Sequence, residues 1–204
     1  MSAPSYVTLA AFLSSLSATG STFLEADATQ ALATASRAVD KLCDRRFYLY
    51  DASNEQTRYY TPLRPVTLEI DDLVSLTSLQ TDQDGDGVFE TTWTLHTDFE
   101  LGPDNADQDG RPWERIVLKQ RSLTVFAVGL ARSVQVVGSF GWATVPDGIV
   151  SLTGILAHRI LLRARIAPLG VVGPGTDAAV KLARQDPDVM LLVRDFDRTP
   201  VFVG

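Results

Sequence analysis

Cysteine occurs once in these 204 residues, histidine twice and lysine three times, and each scarcity removes a class of function. Cys43 has no second cysteine for an internal disulfide, so a reducing, intracellular site of assembly is expected. His96 and His158 are thin material for acid-base or metal chemistry, and no HExxH, CxxC, GxSxG or Walker-type phosphate loop appears. The glycine-rich piece GVVGPG at 170–175 lacks the lysine and the preceding strand of a phosphate loop and reads as a hinge. Apolar runs long enough to span a bilayer are missing, and MSAPSYVTLAAFLSSLS lacks the basic start of a signal peptide. A soluble protein with no membrane partner is expected.

Positive charge is also in deficit. Twenty-five acidic against 18 basic residues leave a net charge of -7, which argues against a dedicated nucleic-acid binder, whose affinity depends on clustered Lys and Arg. It does not prevent DNA from passing nearby. Fifteen of the basic residues are arginines, a bias that either follows a GC-rich genome or reflects protein interfaces, which the rigid guanidinium fork suits.

What is present suffices for a substantial core. With 45% hydrophobic residues, the chain fits one domain or a domain carrying an insertion. Leu9, Phe12, Leu13 and Leu16 share a helical face that ends near SATGS. Thr22 and Glu25 have capping-box spacing for a second helix running to about Arg45, striped by Leu24, Ala28, Ala31, Leu32, Ala35, Ala38, Val39 and Leu42. Beyond Pro146 a third helix carries Ile149, Leu152, Leu156 and Ile160 as its core row; it is apolar nearly all round, so it should be buried in the fold or between subunits. Two short helical pieces, from Asp177 to Arg184 and from Asp188 to about Asp195, precede the tail RTPVFVG.

Between Phe47 and Gly141 the hydrophobic period changes to two. The segments FYLY, TRYYT, TLEI, LVSLTSLQ, ETTWTLH, FEL, RIVLK and SVQVVGSF alternate with Pro-, Gly-, Asn- and Asp-rich loops. Leu68, Ile70, Phe89 and Trp93 are expected to face inward, and His96 to lie on the outer face of a strand. The fold class is therefore α+β: a small bundle of about four helices with a β-rich insert between the second and third. The parts are residues 1–46, 47–141, 142–195 and a tail, 196–204.

The stretch TDQDGDGVFE resembles the opening of an EF-hand loop, with Asp82, Asp84 and Asp86 at alternate positions and Gly87 following. The bidentate glutamate is missing: its position is Trp93, and Glu90 is only a supplementary ligand. Strand-like flanks replace the required helices, so the main reading is a solvated hairpin tip in which Gly85 and Gly87 supply positive φ. Its asparagine triple variant is expected to fold and assemble nearly normally. A weak calcium site at Asp82, Asp84, Asp86 and Glu90 is the alternative; otherwise no metal or cofactor is expected. Asp104, Asp107 and Asp109 also read as a solvated turn, and Cys43 as a small buried hydrophobe. No catalytic residue emerges, and the expectation is that the chain is not an enzyme.

Taken together, YVTLAAFLSSL, ALATASRAVDKLCDRRF, DGDGVFETTWTLHTDFELGPDNA, VQVVGSFGWATVP and DPDVMLLVRDFDR resemble, in order and spacing, the head-to-tail connector (adaptor) proteins of long-tailed bacteriophages, especially of the actinobacterial branch. The likeness spans nearly the full chain. It implies a homo-oligomeric ring, usually a dodecamer, that docks beneath the portal protein and above the next head-completion or stopper protein. Double-stranded DNA would pass through the lumen without sequence-specific binding. Assembly would take place in the host cytoplasm, and the final location would be the virion. Arg159, Arg163 and Arg165, together with Val201, Phe202 and Val203 of the tail, are the interface candidates. Two other readings compete: a calcium-dependent β-rich adhesion or binding module centred on the Asp82 loop, and a metal-dependent hydrolase.

Overall fold

The computed structural model describes residues 3–18, 20, 23–119, 124–166, 176–184 and 187–196. The chain divides into two compact units, Met1–Phe47 with Val145–Gly204, and Tyr48–Thr144. Helices and an antiparallel sheet together make it an α+β protein.

The first unit is helical. Helix α1, Leu9–Ala18, begins at Thr8, whose Oγ1 accepts the Ala11 amide at 3.3 Å and so caps one of the helix's open donors. It ends where Gly20, at φ 73°, donates to Ser17 O. Its buried residues are Phe12 and Leu16, and it packs on α2.

Helix α2, Glu25–Cys43, buries the alanine stripe Ala28, Ala31, Ala35 and Ala38 together with Leu32 and Val39. Two members of the expected stripe differ: Leu24 is 72% exposed and Leu42 is half-buried. The expected capping box falls partly outside the described residues. Leu24 occupies the N-cap position without a side-chain bond, Glu25 is already the first helical residue, and Thr22 lies outside the described residues. The helix stops at Cys43 rather than Arg45, because Asp44 turns left-handed at φ 50° and Arg45 N donates back to Asp40 O.

Helix α3, Asp147–Ile166, starts directly after Pro146, whose carbonyl accepts the Ile149 and Val150 amides. Ile149, Leu152 and Leu156 are buried against α2. Leu161 continues the row in place of Ile160, which is half-buried. Two short helices follow, α4, Thr176–Arg184, packing on α2, and α5, Pro187–Arg194, packing on α3. Among the described residues five helices stand where about four were expected, and Pro187, which has no amide to donate, occupies the first position of the last.

The N-terminal segment is tied to this unit through Tyr6. Its hydroxyl donates to Asp40 Oδ1 and accepts the Phe47 amide at 3.0 Å, while Arg37 Nε meets Asp40 Oδ2 at 3.1 Å. Burial pushes the Tyr6 hydroxyl well above the usual phenol range and the Asp40 carboxyl upward too. The ring of Phe47 meets Tyr6 and Phe196 edge-on, at 5.9 and 5.7 Å.

Among the described residues the second unit forms a six-stranded antiparallel sheet. Its strands are β1, Gln56–Tyr60; β2, Thr67–Thr81; β3, Thr91–Trp93; β4, Phe99–Gly102; β5, Trp113–Leu118; and β6, Val134–Phe140. They lie in the order β1-β6-β2-β5-β4, with β3 pairing the far end of β2. Strand β2 is the spine. It joins the expected segments TLEI and LVSLTSLQ, passing Asp71 and Asp72 through a register shift against β5 between Glu69 and Leu73. The core gathers Leu68, Ile70, Leu73, Leu79, Phe99, Ile116 and Phe140, with Trp93 packed on Phe126 at 5.8 Å.

Three sequence expectations change here. FYLY is not a strand; it bonds to the sheet through Tyr50 N to Phe140 O, beside the turn at Gly141. Phe89 is only half-buried, its ring 5.7 Å from that of Tyr59. His96 sits in a turn at φ 65°, because its amide closes onto Phe99 O after β3 has ended at Trp93.

Candidate functional site: the acidic hairpin loop and the arginine end of α3

The loop between β2 and β3 is built by Asp82. This residue is only 5% exposed, its amide donates to Ser133 O at 2.9 Å, and its two carboxylate oxygens accept Gly85 N at 2.6 Å and Gly87 N at 2.9 Å. Those bonds, the one from Gly85 first, hold its carboxyl below the usual carboxylate range. Both glycines are needed at φ 85° and 90°, where a side chain would strain the backbone.

Asp84 and Asp86 repeat the motif on a smaller scale: Asp84 Oδ1 accepts Asp86 N at 3.2 Å, and Asp86 Oδ1 accepts Val88 N at 2.7 Å. Each aspartate therefore folds its own loop. Asp82, Asp84, Asp86 and Glu90 nevertheless bring one carboxylate oxygen apiece within 4.8 Å of one another. These are the oxygens a hard cation would use. Trp93, where an EF-hand carries its bidentate glutamate, is buried and donates from Nε1 to Thr81 Oγ1 at 2.9 Å. Strands flank the loop on both sides.

The second acidic group, Asp104, Asp107 and Asp109, is exposed in a run of turns. His96 and Lys119 converge on Glu100, Nδ1 to Oε2 and Nζ to Oε1 both at 2.7 Å, and lower its carboxyl, Lys119 more than His96. This is a surface ion cluster. Cys43 is fully buried at the end of α2.

The interface candidates belong to the helical unit. Arg159 is half-buried, whereas Arg163 and Arg165 are exposed in the last turn of α3, with Arg165 lying 5.9 Å from the Phe23 ring. Val201, Phe202 and Val203 lie outside the described residues.

A surface missed in the sequence belongs to the β unit. Leu63 is 84% exposed, and Val66, Val125 and Val128 are exposed beside it, where Phe126 N donates to Pro65 O and Gly129 N to Pro62 O. Both segments read as loops in the sequence; only their pairing in space joins four apolar side chains.

The whole chain superposes on a chain in the neck of an empty GTA particle computed with C6 symmetry. The TM-score is 0.56 at 17% identity, over 98% of this chain and 93% of that one. The two share a fold. A chain in the virion of a native gene transfer agent (GTA) particle matches equally, with a TM-score of 0.55, 18% identity and the same coverage of 98% and 93%. No protein-family model matches the sequence, and no curated protein matches it. No helix among the described residues is long and apolar enough to cross a membrane.

Proposed function

We propose that the chain is a structural head-to-tail adaptor of a tailed bacteriophage or phage-like particle. The observation that carries this reading is the fold shared, nearly end to end in both chains, with components of a GTA neck and virion. The order of connector-like segments along the sequence supports it independently.

In this reading copies of the chain form a ring, a dodecamer, that joins the portal above to a stopper below. The helical unit packs neighbour to neighbour, and the tail with Val201, Phe202 and Val203 grips the portal by adding main-chain bonds and apolar side chains. DNA passes through the lumen, where an acidic protein, net -7, holds phosphate weakly. The chain assembles in the host cytoplasm, ends in the virion and turns over no substrate.

Quantitative mass spectrometry and gold labelling of purified particles test this assignment. The adaptor reading requires a ring's worth of copies per particle, at the head-tail junction. Copies along the tail or spread over the capsid would contradict it.

The convergence of Asp82, Asp84, Asp86 and Glu90 favours a second reading, a calcium-dependent β-rich binding module. In that case calcium binding is tight and partner capture is lost with a chelator.

A further inference from the structure

The two units carry unlike charge. Residues 48–144 hold 15 acidic and 7 basic side chains, a net of -8, whereas the helical unit holds 10 and 11, a net of +1. The whole excess of negative charge therefore resides in the β unit.

On the helical unit, Leu162, Arg163, Ala164 and Arg165 are all exposed. Four consecutive residues at 100° steps pass over every side of a helix, so the last turn of α3 stands clear of its own core. It offers two guanidinium groups and one apolar side chain, Leu162. On the β unit, exposed Asp84, Asp86 and Glu90 crowd together beside Val88, which is 57% exposed. Crowded carboxylates repel one another, and an arriving cation relieves that repulsion. An arginine fork meets carboxylates with paired, charge-assisted bonds.

We infer that the last turn of α3 in one copy docks on the acidic hairpin loop of the next copy, a head-to-tail contact repeated around the ring. Each patch has a single sign, so a two-fold contact of either patch with itself sets like charge against like. Patch against the other patch is attractive; repeated head to tail this contact closes into a ring or runs on as a filament, whereas reciprocal pairing across a two-fold axis would stop at a dimer. Leu162 and Val88 add apolar area to a contact whose charges fix partner and register. The inference rests on the ring-forming reading above and names the contact that makes the ring.

The test is a charge swap followed by sedimentation velocity at low and physiological salt. One variant carries Asp84→Lys, Asp86→Lys and Glu90→Lys; the other carries Arg163→Glu and Arg165→Glu. Asp82 is left in place because it holds the loop. Each variant alone should self-associate at least about tenfold more weakly than the wild type. An equimolar mixture should recover association, because copies of the two kinds alternate with opposite charges facing.

A chain bearing both sets should recover too. Rescue in that chain without rescue in the mixture means that the patches meet within one chain and overturns the inference. So does wild-type association by each single variant, or a defect confined to binding portal-bearing heads. A wild type that stays monomeric at every concentration, or whose association stops at a dimer, also overturns it, while the neck assignment stands or falls separately on copy number in particles. Thermal melts monitor folding. If the triple variant melts early, Glu90→Lys mixed with Arg163→Glu repeats the experiment with one reversal per chain.

Discussion

The indole nitrogen of Trp142 donates to Asp72 Oδ2 at 3.0 Å, with both residues 3% exposed. The backbone carbonyl of Asp72 also accepts Gly141 N at 2.7 Å. A buried carboxylate on the spine strand thus fixes the turn that leaves β6. Replacing Asp72 with Ala leaves a buried N–H without its acceptor and should cost roughly 1–3 kcal/mol. Asp72→Asn, which retains a carbonyl oxygen, should cost less. Urea denaturation of both variants measures the difference.

At the same turn Gly141 has φ 115°, and a Cβ there would lie 2.1 Å from Tyr48 O. Gly141→Ala must therefore move backbone as well as adopt a strained angle. It should destabilise the β unit, whereas Gly154→Ala, inside α3 with nothing within 4 Å of the added Cβ, should leave stability unchanged or raise it. Comparative thermal melts are the check.

Tyr6 both donates to Asp40 and accepts from Phe47. Tyr6→Phe should cost roughly 1–3 kcal/mol, because the buried Phe47 amide loses its acceptor, while half-buried Asp40 loses one donor and keeps Arg37. The pH dependence has a definite sign. Burial first, then the bond to Asp40, raises the folded phenol above its ordinary value, so its contribution is complete below about pH 10 and declines as the pH rises beyond that. The stability gap between wild type and Tyr6→Phe should narrow above pH 10. A gap that widens there would contradict the assignment.

In the hairpin loop the three aspartates are not equivalent. Asp84→Asn and Asp86→Asn should leave the melting temperature nearly unchanged, since each carboxylate accepts one amide bond and is exposed. Asp82→Asn should lower it measurably, because an amide presents only one oxygen where two backbone N–H groups point. The expected near-neutral triple substitution is thereby narrowed to two sites. Since the Asp82 carboxyl is held below its ordinary range, that contribution persists at neutral pH and disappears only as the pH falls through its lowered value. Isothermal calorimetry on the same variants decides the calcium reading: heat of binding abolished by Asp84→Asn and Asp86→Asn would favour it.

Long periodic segments were the most legible. The stripes of α2 and α3 and the alternation of β5 and β6 follow from side-chain period alone, because one face of each must be buried. Short-range details depended on tertiary partners. Phe47 through Tyr50 has the composition of a strand, but Gly141 turns against Tyr48 and little ladder is left to form. Asp71 and Asp72 look like a break between strands, yet a bulge carries them within β2, where Tyr60 and Trp142 supply their partners. The acidic loop was readable as a turn, because Asp and Gly carry the turn chemistry themselves. Glu90 was grouped with the three aspartates in the sequence as well, and their carboxylate oxygens do lie within 4.8 Å of one another.

The proposed adaptor role requires this chain to attach to a portal. Cosedimentation of the full-length protein with purified tailless heads, with and without portal, tests it most directly. An adaptor binds saturably to portal-bearing heads at one ring per head, and not at all to portal-less shells. Equal binding to both, or no binding to either, would contradict it.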